Sequence, residues 1–385
     1  SASAGHAAAT QAMSVGALSR CDFALLFCTA QHDAAALHGA VRAVLGPAAR
    51  LAGGYSVGIV TNDELAYGGT EVGVLAVESD AIRFDLFAVG DLQQGAREVG
   101  AALGRQIQDG GARDANLIVL YDYVNRTSGR FKMNMASPLI EGLASAFAEP
   151  PTVVGGGMFG DMLCSETWQF VDDRVVQQHA LAVALSGVRM HTTVMHGCRP
   201  VGRYHTITST DGNRILAIDG RPALDVIAEL LGLQGALDWR KYAFFIALGV
   251  NRGDPYADYR EEDYAVRLCA KVDAETRALI MYEPDLQEGT QVQLMRRTVS
   301  SEQVAERTRA LIDSLDQPPL FALYIDCAGR ASSFAGLDEE DAMAVQFALG
   351  SDIPLLGIYS GAEIGRVGDR LQAMGWTGIL NIFTF

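Results

Sequence analysis

The residues able to do chemistry gather at glycine-rich junctions. Six phrases stand out: GGYSVG from Gly53, GGGMFGD from Gly155, HGCRPVG from His196, LMRR from Leu294, CAGR from Cys327 and GIYSGAEIG from Gly357. Most follow or end an apolar run, which puts polar groups where strands end, and such ends are where α/β proteins build ligand sites. GGYSVG offers the Ser56 hydroxyl and, around Gly58, exposed N–H groups for a ligand carboxylate or carbonyl. The same glycines would serve a bend against a neighbouring helix. Consecutive glycines through Gly156 and Gly157 belong where side chains do not fit, as on a pocket floor. Asp161, which closes that phrase, either contacts a ligand or caps the segment after it.

Arg199 presents a planar fork suited to a carboxylate, as do Arg296 and Arg330, although each would also serve an internal ion pair. Cys327 shares the CAGR junction with Arg330. In GIYSGAEIG, Glu363 can take a positive charge and Tyr359 can offer a ring face, a pairing suited to an ammonium group. With an arginine for the carboxylate, the set describes an amino-acid pocket. Catalytic signatures are weaker. GGYSVG departs from the nucleophile-elbow pattern, no S-x-x-K is present, and the glycine phrases match neither a dinucleotide fingerprint nor a phosphate-binding P-loop. The seven histidines form no HExxH, which gives a zinc site little support. The expectation is a binding protein and not an enzyme.

Composition sets the frame. A chain of 385 residues with 49% hydrophobic and 20% charged residues suits a globular protein of two domains. A formal net charge of −16 argues against a nucleic-acid partner, which needs Lys and Arg to displace counterions. The six cysteines show no CxxC pair and imply reduced thiols. With no signal peptide and no apolar run long enough for a membrane span, the reading is a cytoplasmic protein whose first ten or so residues are loose.

The elements that must position these residues follow from periodicity. CDFALLFC reads as a buried strand and Asp33–Leu45 as a helix; RLAGGYSVGIV reads as one glycine-interrupted strand, with TNDELAYGG as a loop after it. GVLAVES and IRFDLFAV read as a hairpin. Helices are expected over 92–108, 135–147, 223–231, 302–315 and 339–349. The segment LQGALDW marks a change of pattern after Pro222. The fold class is mixed α/β, two α/β domains with mixed or antiparallel sheets flanked by helices, divided as 15–221 and 222–385. No repeat of solenoid period is visible.

The order and wording of the six phrases, from Gly53 to Glu363, closely resemble the FIST family, and the Gly-Cys-Arg-Pro run at Gly197 matches a phrase near the end of that family's first domain. The resemblance implies a FIST N domain over 15–221, a FIST C domain over 222–385, and a sensory role. It implies a stand-alone signal-transduction module that binds a small polar ligand, an amino acid or related metabolite, in a cleft between the domains. Its output would pass to a separate signalling protein such as a histidine kinase. The alternative it carries is a b-type haem sensor of nitric oxide, for which His196 is the best placed axial ligand; without C-x-x-C-H, any haem b would be held non-covalently.

Overall fold

The structure is a computed structural model describing residues 1–233, 238–239, 242–298, 300–336 and 339–385. Its first layer of organisation is a motif used three times. In the first unit, α1 (Ala2–Val15) leads into β1 (Phe23–Cys28), α2 (Ala34–Leu45) and β2 (Arg50–Tyr55), and β1 and β2 pair in parallel. A hairpin, β3 (Gly58–Thr61) with β4 (Leu65–Tyr67), follows; β5 (Val72–Val77) then returns antiparallel to β1, and β6 (Arg83–Val89) leaves for another sheet. Asp33 starts α2 by accepting the N–H of Ala36, the expected N-cap geometry.

The second unit repeats the order. It runs α3 (Ala96–Asp109), β7 (Asn116–Asp122), a two-residue ribbon of β8 (Val124–Asn125) and β9 (Lys132–Met133), α4 (Ala136–Ser145) and β10 (Val153–Met158). Hairpin β11 (Gln169–Val171) and β12 (Arg174–Val176) comes next, then β13 (Ala180–Ser186) antiparallel to β7, and β14 (Arg189–Met195). An inserted sheet comes between this unit and the third. It contains β15 (Cys198–Asp211), β16 (Arg214–Ile218), β17 (Arg221–Pro222), helix α5 (Ala223–Leu230), β18 (Ala247–Asn251), β19 (Tyr264–Asp273), β20 (Ala278–Met281) and β21 (Gln291–Arg297). The third unit has α6 (Ser301–Asp313), β22 (Phe321–Cys327), the short α7 (Ser332–Ala335), α8 (Asp341–Leu349), β23 (Leu355–Ser360), hairpin β24 (Glu363–Val367) and β25 (Arg370–Met374), and β26 (Gly378–Thr384).

The three sheets share one strand order: hairpin, second parallel strand, first parallel strand, antiparallel strand. They read β12-β11-β2-β1-β5, β25-β24-β10-β7-β13-β6 and β4-β3-β23-β22-β26-β14. Each hairpin joins the sheet of a different unit, the first unit's going to the third, the second's to the first, and the third's to the second. The hand-over is cyclic. It corrects two sequence expectations: RLAGGYSVGIV splits between two sheets at Ser56–Val57, and β5 and β6 form no hairpin because β6 pairs with β13. Part of TNDELAYGG is strand β4.

Strand alternation explains the layers. Phe23, Leu25 and Phe27 of β1, Ile118 and Leu120 of β7, and Leu323 and Ile325 of β22 meet in one central cluster. The intervening residues face helices: Ala24, Leu26 and Cys28 toward α1 and α2, and Leu117, Val119 and Tyr324 toward the other helix pairs. Because both faces are covered, these strands read as continuous apolar runs, and each large side chain buried in them stabilises the fold by about 1.5–3 kcal/mol. The N-terminus, expected to be loose, is instead helix α1, packed on α2 and β5 with Gly5 and Ala9 buried; small residues let the two helices approach.

Shared register marks the repeat in sequence. Gly53 lies opposite Leu26, Gly155 opposite Val119 and Gly357 opposite Tyr324. A Cβ at Gly53 or Gly155 would stand 1.8 Å from the carbonyl oxygen of the facing residue, so only glycine fits there. The three phrases GGYSVG, GGGMFGD and GIYSGAEIG are thus one structural position used three times. The boundary expected at 221/222 falls within the inserted seven-stranded sheet, where Arg221 pairs with Ile218 and strands on both sides of it share hydrogen bonds. Residues 234–237 of LQGALDW lie outside the described residues.

Candidate functional site

The ends of β2, β10 and β23 converge. The Ser56 hydroxyl donates to the carbonyls of Gly58 and Tyr359, at 2.7 and 3.1 Å, and accepts the Tyr359 N–H. Gly157 donates its N–H to Ala362 and accepts the N–H of Gly361, both at 2.9 Å, while Ala30 donates to Gly160 at 3.1 Å. Where β10 meets β23, the packing leaves a cavity of about 210 Å³, room for about seven waters at their liquid volume of ~30 Å³ each. Its walls come from both sides of residue 222. Tyr123 and Phe159 stand at the ends of β7 and β10, Cys327 and Ser360 at the ends of β22 and β23, and Arg267, Tyr282 and Glu283 come from the inserted sheet and the turn after β20. Met133 of β9 lines it too, as do Phe131 and Met162 from loops, and Phe131 and Met162 are themselves solvent-exposed. Gly361 is required by close approach: a Cβ there would stand 2.6 Å from the Tyr123 ring.

The lining is mostly apolar, with one buried guanidinium and one buried carboxyl. Arg267 is bound to Asp285 by Nε at 2.8 Å and also by Nη2, which donates to Gln372 Oε1 as well, while Nη1 donates to Val266 O. That pairing raises its pKa against the effect of burial and holds Asp285 below the usual carboxylate range. Glu283 accepts the N–H groups of Ala136 and Ser137 at 2.9 and 2.8 Å, capping α4 from the turn after β20. Burial pushes its carboxyl up to about 7 even so. The Tyr123 and Phe159 rings lie 5.5 Å apart, and Tyr123 Oη reaches Met133 Sδ at 3.0 Å. The nearby thiols are not activated: burial raises Cys327 and Cys164, and Cys198 is pushed up to about 12. A nucleophilic cysteine needs the opposite shift.

The residues singled out from sequence fall into four places. Cys327 lines the cavity, and Gly156, Gly157 and Glu363 form its backing, Gly156 pairing with Glu363 and Gly157 with the Gly361–Ala362 turn. Glu363 is fully buried behind Ser360, whose hydroxyl it accepts at 2.8 Å, and burial holds it well above the usual carboxylate range. Ser56, Gly58 and Tyr359 meet at the neighbouring junction instead, where the Tyr359 hydroxyl donates to Glu340 at 2.6 Å and its ring meets Tyr67 edge-on. Alternation along β23 therefore turns Tyr359 away from Ser360 and Glu363, and the two halves of the ammonium pair do not face one site. Arg330 is buried among Asp326 at 2.9 Å, Asp341 and the carbonyls of Met195 and Trp376. Arg199 and Arg296 are exposed on the inserted sheet, Arg199 over the Tyr259 ring at 5.2 Å. Asp161 accepts the N–H groups of Leu163 and Ser165, both at 3.0 Å, and so caps its own turn.

His196 is fully buried with both ring nitrogens engaged. Nδ1 accepts the Cys198 N–H at 3.0 Å, which leaves Nε2 protonated to donate to Glu261 O at 3.1 Å. Burial lowers its pKa, so the nearby Glu261 carboxylate faces a neutral ring. An axial haem ligand needs a free nitrogen facing a cavity, and His196 offers none; these residues do not fit the group.

Sequence reading missed Arg267, Tyr123, Tyr282 and Glu283. The available signals were an arginine inside the apolar run YAVRLCA and the acid directly after RALIMY.

Comparison with known proteins places the chain. Residues 22–221 match the family model of the FIST N domain and residues 223–366 that of the FIST C domain. An uncharacterized protein of Mycobacterium tuberculosis is 28% identical over 237 residues, covering 60% of this chain and 61% of that protein. An uncharacterized Mycobacterium bovis protein is 27% identical over 236 residues, covering 60% of each. The matched stretch thus spans about three fifths of these relatives. Among solved structures, T. maritima PurL complexed with ATP aligns at 11% identity over 79% of this chain and 71% of that one, and its TM-score of 0.20 carries no argument. Among the described residues no helix is long and apolar enough to cross a membrane.

Proposed function

The chain belongs to the FIST family, whose domains are associated with sensory and signal-transduction roles, and on that premise we propose that it senses a small molecule with a polar head and an apolar body, of amino-acid size. The observation that supports this is the cavity at the β10–β23 junction, which combines aromatic walls, one fixed carboxyl and strand-end backbone in a partly enclosed space. Such a mixture of apolar lining and few convergent polar groups is what small-ligand sites use. Neighbouring thiols with raised pKa values suit binding better than nucleophilic chemistry.

Signalling follows from differential affinity. A ligand that contacts the exposed Phe131 and Met162 as well as the rigid strand ends stabilises a closed arrangement of those loops. The closed state is then what a separate signalling protein, such as a histidine kinase, reads. The test is thermal shift with amino-acid-sized metabolites on the natural protein and on Met133→Trp, which fills the cavity. Saturable stabilisation of the first and none of the second is expected, about 2.7 kcal/mol at a hundredfold excess over Kd. Equal stabilisation of both proteins, or of neither, would sink the reading.

A further inference from the structure

We infer that this cavity recognises a small organic ammonium, an amine with an apolar or aromatic body and no carboxylate, using Glu283 as its counter-ion. The inference rests on the cavity being the ligand site and adds the chemical class. The described lining carries one guanidinium and one carboxyl, and their bonding states differ. Arg267 commits Nε and Nη2 to Asp285, Nη2 also to Gln372, and Nη1 to the Val266 carbonyl. A bidentate fork for a ligand carboxylate is therefore already taken. Glu283 is in the opposite state. A carboxylate has about four acceptor positions, and the α4 N–H groups of Ala136 and Ser137 fill two of them. Among the described residues no Lys, Arg or His stands in a salt bridge with it, since Arg267 pairs with Asp285.

The surroundings suit the same charge. Tyr123, Phe131, Phe159 and Tyr282 bring four aromatic side chains to the lining of the cavity that Glu283 also lines, and ring faces attract a cation within about 6 Å. A ligand ammonium would give Glu283 a cation of its own, since the one guanidinium in the lining is committed to Asp285 and burial holds the Glu283 carboxyl up to about 7. A ligand carboxylate would meet Glu283 as a like charge. An α-amino acid brings both groups, so it loses at one end what it gains at the other, and the plain amine binds more tightly.

Isothermal titration of the full chain at pH 7.5 with phenethylamine, 2-phenylethanol, 3-phenylpropionate and phenylalanine tests this. Phenethylamine is expected to bind at least tenfold more tightly than each of the others, and Glu283→Gln to remove that preference. Because Glu283 also caps α4, Phe131→Ala supplies a second variant at a partly exposed ring outside the buried core. It is expected to weaken the amine more than the alcohol. If the alcohol or the acid binds as well as the amine, and Met133→Trp abolishes that binding, the ammonium class is overturned while the ligand site stands. If no probe binds, or Met133→Trp leaves amine binding intact, both inferences fall.

Discussion

Two arginines of this protein, Arg330 and Arg267, are each only 2% exposed, and each is held by aspartate. Asp326 and Asp341 flank the Arg330 guanidinium, and the carbonyls of Met195 and Trp376 both accept from its Nη1, while Asp326 Oδ2 and Asp341 Oδ1 are left without a hydrogen-bond partner. Around Arg267 the pair with Asp285 is equally tight, yet Glu283 stands beside a cavity with acceptor positions left over. Burial of charge alone thus does not distinguish a ligand site from a structural clamp. The discriminating feature is an adjoining cavity, which Glu283 lines and Asp326, Arg330 and Asp341 do not. The clamp ties β22 and α8 to the ends of β14 and β25, and the cavity lies where the ends of β10 and β23 fail to close.

The comparison breaks most severely if the clamp is dispensable. Arg330→Met keeps an unbranched stem as far as the Nε position and removes the charge, leaving Asp326 and Asp341 buried with no guanidinium between them. Removing one member of a buried pair costs about 3–5 kcal/mol, and that loss should appear in urea unfolding. A loss below about 1 kcal/mol would mean that the cluster is not the structural element described above. Because the clamp is separate from the cavity, the variant, where folded, should bind cavity ligands with unchanged affinity.

Much of the scaffold was legible because burial writes itself into sequence. CDFALLFC read as a strand since both its faces are covered, and the helix expected over Asp33–Leu45 is α2, with Asp33 as its N-cap. The three glycine phrases were visible as special, and the structure shows why two of them admit no side chain at Gly53 and Gly155. Their relation as a repeat was not legible, because the units share register and topology but few side chains: Tyr55, Gly157 and Tyr359 occupy the same register position. Nor did local pattern reveal the exchange of hairpins, which pairs segments as distant as Gly58–Thr61 and Leu355–Ser360. Cavity-facing Glu283 was missed for the same reason. Its role comes from Ala136 and Ser137, about 147 positions away in the chain.

A smaller effect sharpens the cavity side. Burial raises Glu283 from 4.5 to about 7 and Asp122 from 3.8 to about 7. A carboxyl whose folded pKa is raised binds its proton more tightly in the native state than in the unfolded chain. Its contribution is fully present below the unfolded value and is lost as pH rises through about 7. For Glu283 alone the change across that window is on the order of 3 kcal/mol. Stability measured by denaturant between pH 4.5 and pH 7.5 should therefore fall with rising pH, and Glu283→Gln should remove part of the fall, with the buried carboxyls of Asp122, Asp326 and Glu363 supplying the rest. An unchanged slope in the variant would show that Glu283 is ionised throughout and not held neutral by burial.

The smallest effect concerns an arginine that belongs to neither cluster. Arg199 sits in the HGCRPVG phrase and is able to pair with a carboxylate, yet its side chain lies in solvent over the Tyr259 ring. An exposed cation–π contact of that kind is worth about 0.5–1 kcal/mol, so Arg199→Ala should cost no more than this in urea unfolding and leave ligand affinity at the cavity unchanged. The neighbouring Cys198 carbonyl keeps its bond from the Tyr259 hydroxyl at 2.6 Å, which holds the ring in place without the arginine. A tenfold loss of ligand affinity in this variant would move the functional centre to the inserted sheet and dissolve the contrast between clamp and cavity. The two buried arginines would then both be scaffold, and the exposed one the recognition residue.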